Sequence, residues 1–158
     1  MQENELEQLK KLAKSLREYS GKIKIISLLN KAKLEYDSNK FLDCEQSCKE
    51  ILIIDSQNAV ALRGLGCVAQ AGGNYKKAEK YYKKALKFSK NKEIECTLIG
   101  TIYYLQEDLE TALKYYNKAI DINDDYDNAY EGKNQAMLEK HLKLIDLQDS
   151  LIKQKIFY

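Results

Sequence analysis

Two cysteines four residues apart, Cys44 and Cys48, have the side-chain type and helical spacing of metal ligands. A zinc site would need about two more ligands, and Cys67, Cys96 and the single histidine, His141, lie far away along the chain. Cys44 and Cys48 also occupy positions where later parts of the chain carry alanine and tyrosine. Because buried free cysteine behaves as a small hydrophobic residue, we interpret both as core residues and predict neither a metal nor a cofactor.

Catalysis that uses a histidine would depend on His141 alone. This residue lies in a segment rich in lysine and leucine, and no recognisable catalytic motif surrounds it. We therefore interpret His141 as a surface residue and predict that the chain is not an enzyme.

Gly64, Gly66 and Ala69 match the spacing of a dinucleotide-binding fingerprint that has alanine in its last place. That motif needs a strand before it and a helix that opens at it. Here the apolar periodicity places all three residues inside a helix, which argues against nucleotide binding.

Four oxygen-bearing side chains near the end of the chain resemble a calcium-binding loop: Asp121, Asn123, Asp125 and Asp127. Tyr126 replaces the turn glycine of such a loop, and Gly132 replaces its closing glutamate. We therefore interpret the acids as helix caps and as partners of a helix N-terminus.

The segment Lys76–Lys92 holds eight lysines with tyrosines between them, a composition that could bind nucleic acid. The aromatic residues of this region follow the spacing of a buried helix face: Tyr75, Tyr81, Tyr82 and Phe88. Such a face leaves no platform for stacked bases. We favour a solvated outer face, and RNA binding is the least favoured of three functions.

Composition bounds the class of protein. The chain has 158 residues, a net charge of +2 and 44% hydrophobic residues, which is typical of one soluble globular domain. No apolar run approaches the roughly 18 residues of a membrane span, and the Glu/Lys-rich stretch Met1–Leu16 does not resemble a signal peptide. Four cysteines without a secretory segment suggest a reducing compartment, so we expect a cytoplasmic protein without a membrane partner.

The strongest signal is a 34-residue interval, seen when Ala59–Lys92 is aligned with Glu93–Tyr126. The alignment pairs Gly66 with Gly100, Ala78 with Ala112, Tyr82 with Tyr116, and Ala85 with Ala119. Small and apolar residues recur in the preceding stretch, Ile25–Asn58. A fixed period of this size indicates stacked units that bury their apolar faces against one another.

Each unit is predicted to be a helix, a turn and a second helix. Apolar residues recur at three- and four-residue spacing, with turn formers at 37–39, 72–74 and 106–108 and between units at 55–58, 89–91 and 123–125. Glu3–Tyr19 is amphipathic, and we expect an additional capping helix over 1–24 that Gly21 ends. Over 127–158 we expect one long helix that caps the array and overhangs it.

This pattern resembles the tetratricopeptide repeat, over roughly Ile25–Leu138. In that family the first helix has a small residue, here Ala32, Gly66 and Gly100, and the second has a small, an aromatic and a small residue. The first unit departs from the pattern with Cys44, Cys48 and Ile51. The resemblance implies an all-α, right-handed α-solenoid with three units, 25–58, 59–92 and 93–126, between the two terminal helices.

The resemblance also implies that a partner segment lies in a concave groove formed by the first helices. By register, the predicted partner-binding residues are Ile26, Leu29, Lys33, Tyr36, Val60, Arg63, Gln70, Ile94, Thr97, Thr101, Tyr104 and Glu131. Family members that hold the acidic tails of heat-shock chaperones use a Lys/Asn/Arg clamp. The clamp positions here hold mostly Leu29, Gly64, Ile94 and Leu98, so we expect no clamp, with Lys33 and Arg63 as the cations able to meet a carboxylate.

The last helix is predicted to carry two apolar stripes on nearly opposite sides. One consists of Leu138, Leu142, Ile145, Ile152 and Ile156, and the other of Leu144, Leu147, Leu151 and Tyr158. A second exposed stripe would mark an interaction surface, which makes Leu144, Leu147 and Leu151 candidate oligomer contacts. A turn near Lys140–Lys143 that folds the tail back is the alternative.

The favoured function is a non-catalytic scaffold or adaptor that binds a peptide or helix of a partner protein. The alternative is a structural subunit that self-associates, for example as a homodimer, through its terminal helix. The sequence does not identify the partner.

Overall fold

The computed structural model describes residues 2–157, and it describes the side chains of residues 5–154. Residues 2–157 form seven α-helices: α1 Gln2–Asp37, α2 Phe41–Ile54, α3 Ala59–Ala71, α4 Tyr75–Phe88, α5 Lys92–Leu105, α6 Leu109–Ile122 and α7 Asp127–Phe157. The pairs α1–α2, α3–α4 and α5–α6 pack as hairpins, each pair contacts the next, and α7 packs on α6 and α5. This arrangement is the predicted all-α helical repeat solenoid.

The repeat is also visible in the backbone of the turns. Asn39, Gly73 and Glu107, which occupy equivalent positions in the three units, have positive φ angles of 58°, 73° and 63°. The turn between the two helices of a unit therefore needs one residue in the left-handed backbone conformation, and glycine adopts this conformation without strain. The side chains of Asn58, Asn74 and Asp108 accept hydrogen bonds from backbone amides three residues later, and so cap α3, α4 and α6.

A buried tyrosine packed against glycine holds each of the later hairpins together. Tyr82 and Tyr116 are almost fully buried. A Cβ atom on Gly66 would overlap the ring of Tyr82, and one on Gly100 would lie 2.9 Å from the ring of Tyr116. A Cβ atom on Gly132 of α7 would also overlap the ring of Tyr116. The small residues predicted at the helix crossings are therefore needed for close packing.

The N-terminal helix differs from the prediction. Helix α1 runs through Gly21 without a break, so the prediction that Gly21 ends a separate capping helix over 1–24 is wrong. A single glycine costs an α-helix about 1 kcal/mol relative to alanine but does not stop it. Between Gly21 and Asp37, Asn30 is the only further Gly, Pro or Asn in the sequence. The additional helix is therefore continuous with the first helix of the first unit.

The C-terminal segment is one helix. Helix α7 passes through residues 140–143 without a turn, so the tail does not fold back. Its first half packs on the body through buried Ala129 and Ala136. From His141 to Gln154 every side chain is exposed, so both predicted stripes face solvent over that range. Neither stripe packs on the third unit over that range, and Ile156 and Tyr158 lie outside the described side chains.

Candidate partner-binding groove

The first helices of the first two units, together with α2, line an open cavity of about 160 Å³. Five of the twelve predicted partner-binding residues line it: Leu29, Lys33, Tyr36, Val60 and Arg63. The remaining lining comes from Ala32, Asp37, Cys44, Cys48, Gly64 and Cys67. The structure thus brings the predicted residues of the first and second units together, whereas Ile26, Gln70, Ile94, Thr97, Thr101, Tyr104 and Glu131 lie outside the cavity.

Three thiols form part of the cavity wall. Cys44 and Cys48 are buried, and Cys67 is half-buried. Burial raises the pKa of Cys44 and raises that of Cys48 to about 12, so these two sulfurs remain protonated at neutral pH. A protonated thiol is a poor nucleophile. The wall is therefore an apolar surface with weak hydrogen-bonding capacity.

Tyr36 supplies an aromatic face to the cavity. Its ring meets Phe41 edge to face, with 5.5 Å between the ring centroids. Burial raises the pKa of Tyr36, so its hydroxyl stays a hydrogen-bond donor. An aromatic ring held by a second ring offers contact area with little loss of conformational entropy when a ligand binds.

The two cations predicted in the groove are not equivalent. Arg63 Nη1 lies 3.3 Å from Oε1 of Glu95 on α5, and the Glu95 side chain is fully buried. A buried carboxylate needs such a partner, because an unpaired charge in the interior is strongly unfavourable. Lys33 is exposed, and the described residues offer it no ion-pair partner. Lys33 is thus the cation that remains available to a ligand.

Glu95 is a residue of the site that sequence analysis missed. The equivalent positions in the neighbouring repeats hold Ala61 and Ala129, which are also fully buried. A charged residue where the other units have alanine is a signal that the alignment could have revealed. Its second oxygen, Oε2, is buried and has no hydrogen-bond partner within the described part of the chain.

Several predicted groove residues support the core tyrosines. The Tyr82 hydroxyl donates to Oε1 of Gln70 at 2.9 Å. The Tyr116 hydroxyl donates to Oγ1 of Thr101 at 3.3 Å, and that threonine donates to the backbone oxygen of Thr97. Thr97 itself is buried. The side chains of Gln70 and Thr101 are therefore engaged within the protein, whereas the buried Oγ1 atom of Thr97 has no hydrogen-bond partner among the described residues.

The far end of the predicted groove meets α7. A hydrogen bond to the Glu139 carboxylate of α7 raises the pKa of Tyr104. Lys143 of the same helix lies 3.3 Å from Glu139 and 2.9 Å from Glu107. Tyr104 is thus associated with the contact between α5 and α7, whereas Glu131 is exposed on α7 itself.

Among the described residues, the motifs considered for metal, dinucleotide and calcium binding do not form the geometry that those ligands need. The described residues contain no cluster of three or more His, Cys, Asp or Glu side chains arranged to bind a metal. Gly64, Gly66 and Ala69 lie inside α3. Asn123, from the predicted calcium loop, accepts a hydrogen bond from the backbone of Asp125 in the turn before α7.

Six of the eight lysines of the lysine-rich segment lie on α4, and two of these six form ion pairs. Lys77 lies 3.5 Å from Glu45, and Lys83 lies 2.6 Å from Glu79. Of its four aromatic residues, Tyr82 alone is buried, Tyr75 and Tyr81 are half-buried, and Phe88 is 43% exposed. The prediction that Phe88 belongs to the buried face is therefore wrong.

The candidate oligomer contacts Leu144, Leu147 and Leu151 are all exposed on the second half of α7. Over the part of the chain that the structure describes, the long helices lack an apolar stretch sufficient to cross a membrane.

Two segments of the chain match the tetratricopeptide repeat, residues 59–92 and residues 95–126. No curated protein matches the chain. Its fold is similar to that of the O-GlcNAc transferase of Thermobaculum terrenum, with a TM-score of 0.69 and 24% identity over 74% of this chain. This chain spans 22% of that transferase chain.

Two solved complexes with peptides are similar as well. The first tetratricopeptide-repeat domain of Spaghetti (RPAP3), bound to the HSP90 peptide SRMEEVD, has a TM-score of 0.67 and 14% identity, over 75% of this chain and 94% of that one. The Yersinia enterocolitica type III secretion chaperone SycD, with a peptide of the translocator YopD, has a TM-score of 0.64 and 17% identity, over 72% and 92%. The two matched segments identify tetratricopeptide repeats at residues 59–92 and 95–126 of this chain, and the similar structures show that it shares their fold.

Proposed function

We propose that the chain is a non-catalytic interaction scaffold that binds a segment of a partner protein along its first helices. The cavity between the first and second units would be the principal anchor site. The observation that carries this proposal is the position of five predicted partner-binding residues around one cavity. Ligand sites of this kind are concave and mostly apolar, with a few polar groups that fix orientation.

The chemistry of the lining suggests what the segment contains. The volume of about 160 Å³ suits one large apolar side chain, held against Tyr36 and the thiols of Cys44, Cys48 and Cys67. The exposed amine of Lys33 at the same cavity would pair with an acidic side chain of the ligand. Aromatic anchors in desolvated pockets contribute most of the binding energy in protein interfaces. We therefore propose a ligand in which an apolar anchor lies near an acidic residue.

The two similar peptide complexes support a peptide ligand in general terms. The RPAP3 domain holds a peptide of HSP90 and SycD holds a peptide of YopD. In this chain the carboxylate of Glu95 already neutralises Arg63, and the residues of the chaperone clamp are absent from the sequence. We therefore propose that an internal segment binds here in preference to a C-terminal carboxylate. The cytoplasmic location expected from the free cysteines is part of the same proposal.

A randomised peptide library selected on the full chain tests this function, with affinities measured by fluorescence anisotropy. Val60→Glu places a charge at the cavity, and we expect it to weaken the selected peptides at least tenfold. Ile53→Glu is the matched control, because Ile53 is a β-branched residue of α2 that is 84% exposed and outside the cavity. Equal loss of binding in both variants, or in neither, would contradict the proposed site.

A second candidate function is self-association through α7. It is supported by the exposed residues Leu144, Leu147 and Leu151 on a helix that extends beyond the repeat body. Exposed apolar stripes of this kind mark interaction surfaces. Sedimentation of the chain and of a Leu147→Glu/Leu151→Glu variant tests this candidate, and it is excluded if both sediment as monomers.

A further inference from the structure

Over the described residues, the first half of α1 buries no side chain against the rest of the chain. Every described side chain from Glu5 to Ser20 is exposed. An isolated helix of this length is marginal in water, because most helical stability in proteins comes from packing of an apolar face. Exposed apolar residues nevertheless follow one side of α1, from this first half into the turns after it. They are Leu9, Leu12, Leu16, Tyr19, Ile23 and Ile26, and their side chains are 53–66% exposed. We call these six residues the α1 seam.

The spacing of the α1 seam specifies the kind of partner. Its residues are separated alternately by three and four positions, which is the a/d pattern of a heptad repeat. This average spacing of 3.5 residues keeps a stripe facing a second helix, with side chains interlocking across the contact. A flat or irregular protein surface does not require such a repeat. The occupant that fits the α1 seam is therefore another helix with the same repeat.

The residues beside the α1 seam permit a second copy of this chain to be that helix. In a heptad, positions e and g border the contact and select the partner by charge. Here most of them are small or uncharged: Gln8, Ala13, Ser15, Ser20 and Ser27, with Lys22 as the exception. The remaining charges of the seam region, for example Lys10, Lys14 and Arg17, occupy outward positions. Two copies can therefore approach with little like-charge repulsion.

An antiparallel arrangement matches the apolar residues and the charges together. It pairs Leu9 with Ile26, Leu12 with Ile23 and Leu16 with Tyr19 of the second copy, so that every layer is apolar. It also places the acidic first turns, with Glu5 and Glu7, beside residues 22–33, which contain four lysines and no acid. A parallel pair would bring each of these charged regions against its own copy, and would place both repeat bodies at the same end.

We propose that the chain forms an antiparallel homodimer through the α1 seam. This inference is independent of the candidate contact on α7, since it uses a different helix, and it shares only Ile26 with the predicted groove residues. The paired region from Leu9 to Ile26 is about 26 Å long at 1.5 Å per residue. It ends at Ile26, three residues before Leu29, where the part of α1 that lines the cavity begins.

Sedimentation equilibrium of the full chain over a hundredfold concentration range tests this proposal. We expect a monomer–dimer equilibrium for the unmodified chain and a monomer for Leu12→Glu/Leu16→Glu. Circular dichroism should show that this variant keeps the thermal transition of the repeat body, because both leucines are exposed. The matched control Lys10→Glu/Lys14→Glu, on the outward side of α1, should retain the dimer. A monomeric unmodified chain, or a dimer lost only on Leu144→Glu/Leu151→Glu, would overturn the proposal.

Disulfide formation tests the orientation. In a Cys67→Ser background, chosen because the other three cysteines are buried, a mixture of Leu9→Cys and Ile26→Cys chains should form a cross-linked dimer. Either variant alone should cross-link much more slowly, and efficient cross-linking of Leu9→Cys with itself would rule out the antiparallel pair.

A basic amphipathic helix can also lie on a lipid surface. Binding to anionic phosphatidylserine vesicles therefore tests whether a membrane, instead of a second copy of the chain, covers the α1 seam. A chain that stays monomeric in solution, and that binds these vesicles until Lys10→Glu/Lys14→Glu is introduced, would overturn the proposal in favour of lipid binding.

Discussion

The first unit and the two later units have the same helix–turn–helix backbone but different side chains in the core of the helix pair. At the centre of the second helix, the later units place Tyr82 and Tyr116, and the first unit places Cys48. The later units accommodate the ring with Gly66 and Gly100, where the first unit has Ala32. The cavity lies beside Cys48 and Ala32. The first unit thus has a smaller residue, Cys48, at the position where the later units have a tyrosine, and the space beside it is a candidate binding site.

The largest effect should come from removing a core tyrosine. Tyr82→Ala and Tyr116→Ala each delete a buried ring and a hydrogen bond to Gln70 or Thr101, and we expect each to destabilise the fold by about 3–5 kcal/mol. Cys48→Ala removes one sulfur atom beside an existing cavity and should cost about 1 kcal/mol. Urea unfolding followed by circular dichroism measures all three. If all three variants lose a similar free energy of unfolding, the first unit does not differ from the later units in the way proposed here.

The Arg63–Glu95 pair joins the second unit to the third and should show strong non-additivity. Arg63→Ala leaves the Glu95 carboxylate buried and unpaired, and we expect a loss of about 3 kcal/mol at neutral pH. The double variant Arg63→Ala/Glu95→Ala should recover most of that loss, because alanine already occupies the equivalent buried positions 61 and 129. A double-mutant cycle in urea checks this, and additive losses would show that the ion pair is not coupled.

The glycine at the helix crossing should matter only where a tyrosine faces it. Gly66→Ala brings a Cβ atom into the ring of Tyr82 and should cost roughly 1–3 kcal/mol through overpacking. The paired variant Tyr82→Cys/Gly66→Ala imitates the first unit, and there the alanine should add no further loss beyond that of Tyr82→Cys. If Gly66→Ala alone is neutral in thermal melts, the close contact is not needed for stability.

The converse exchange should close the cavity with a small effect on stability. A Cβ atom on Gly100 or on Gly132 would meet the ring of Tyr116. A Cβ atom on Gly64 would lie 2.7 Å from the sulfur of Cys48, which lines the cavity together with Ala32. We expect Ala32→Gly/Cys48→Tyr to place a ring in the cavity, keep the melting temperature within a few degrees, and abolish binding of the selected peptides. Retained binding at full affinity would locate the anchor site elsewhere.

The smallest effect should be found in the turns. Glu107 has the left-handed backbone that Gly73 adopts in the second unit and Asn39 in the first. Because a side chain with a Cβ disfavours this conformation, Glu107→Gly should raise the melting temperature slightly, in spite of the lost surface contact with Lys143. Asn39→Gly should raise it less, since asparagine tolerates this region. Differential scanning calorimetry resolves the two changes.

Residue spacing was sufficient to predict the repeats. The repeat interval, the apolar periodicity and the turn formers determine where α2 to α6 begin and end, because those features are local. The same spacing placed the partner-binding residues on the first helices. It could not show that only five of them surround a cavity, since that depends on the volumes of Cys48 and Ala32 in three dimensions.

The terminal helices show where local signals fail. Glycine is common just after the end of a helix, but α1 continues through Gly21 because the residues on both sides favour a helix. A Cβ atom added to Gly21 would lie 3.6 Å from Cγ2 of Ile54, which is an ordinary contact distance. The sequence did not decide between a long helix and a turn at residues 140–143, because lysine and leucine are compatible with both structures.

The sequence by itself determined the period, the helical class and the family of this protein, since helix formation and repeat stacking depend on patterns within a single repeat and its neighbour. The tertiary structure alone decided which groove residues are available. Arg63 is held by Glu95, Gln70 and Thr101 are bound to the core tyrosines, and Lys33 remains exposed. These pairings join residues from different helices, and their distances follow from packing that residue spacing does not encode.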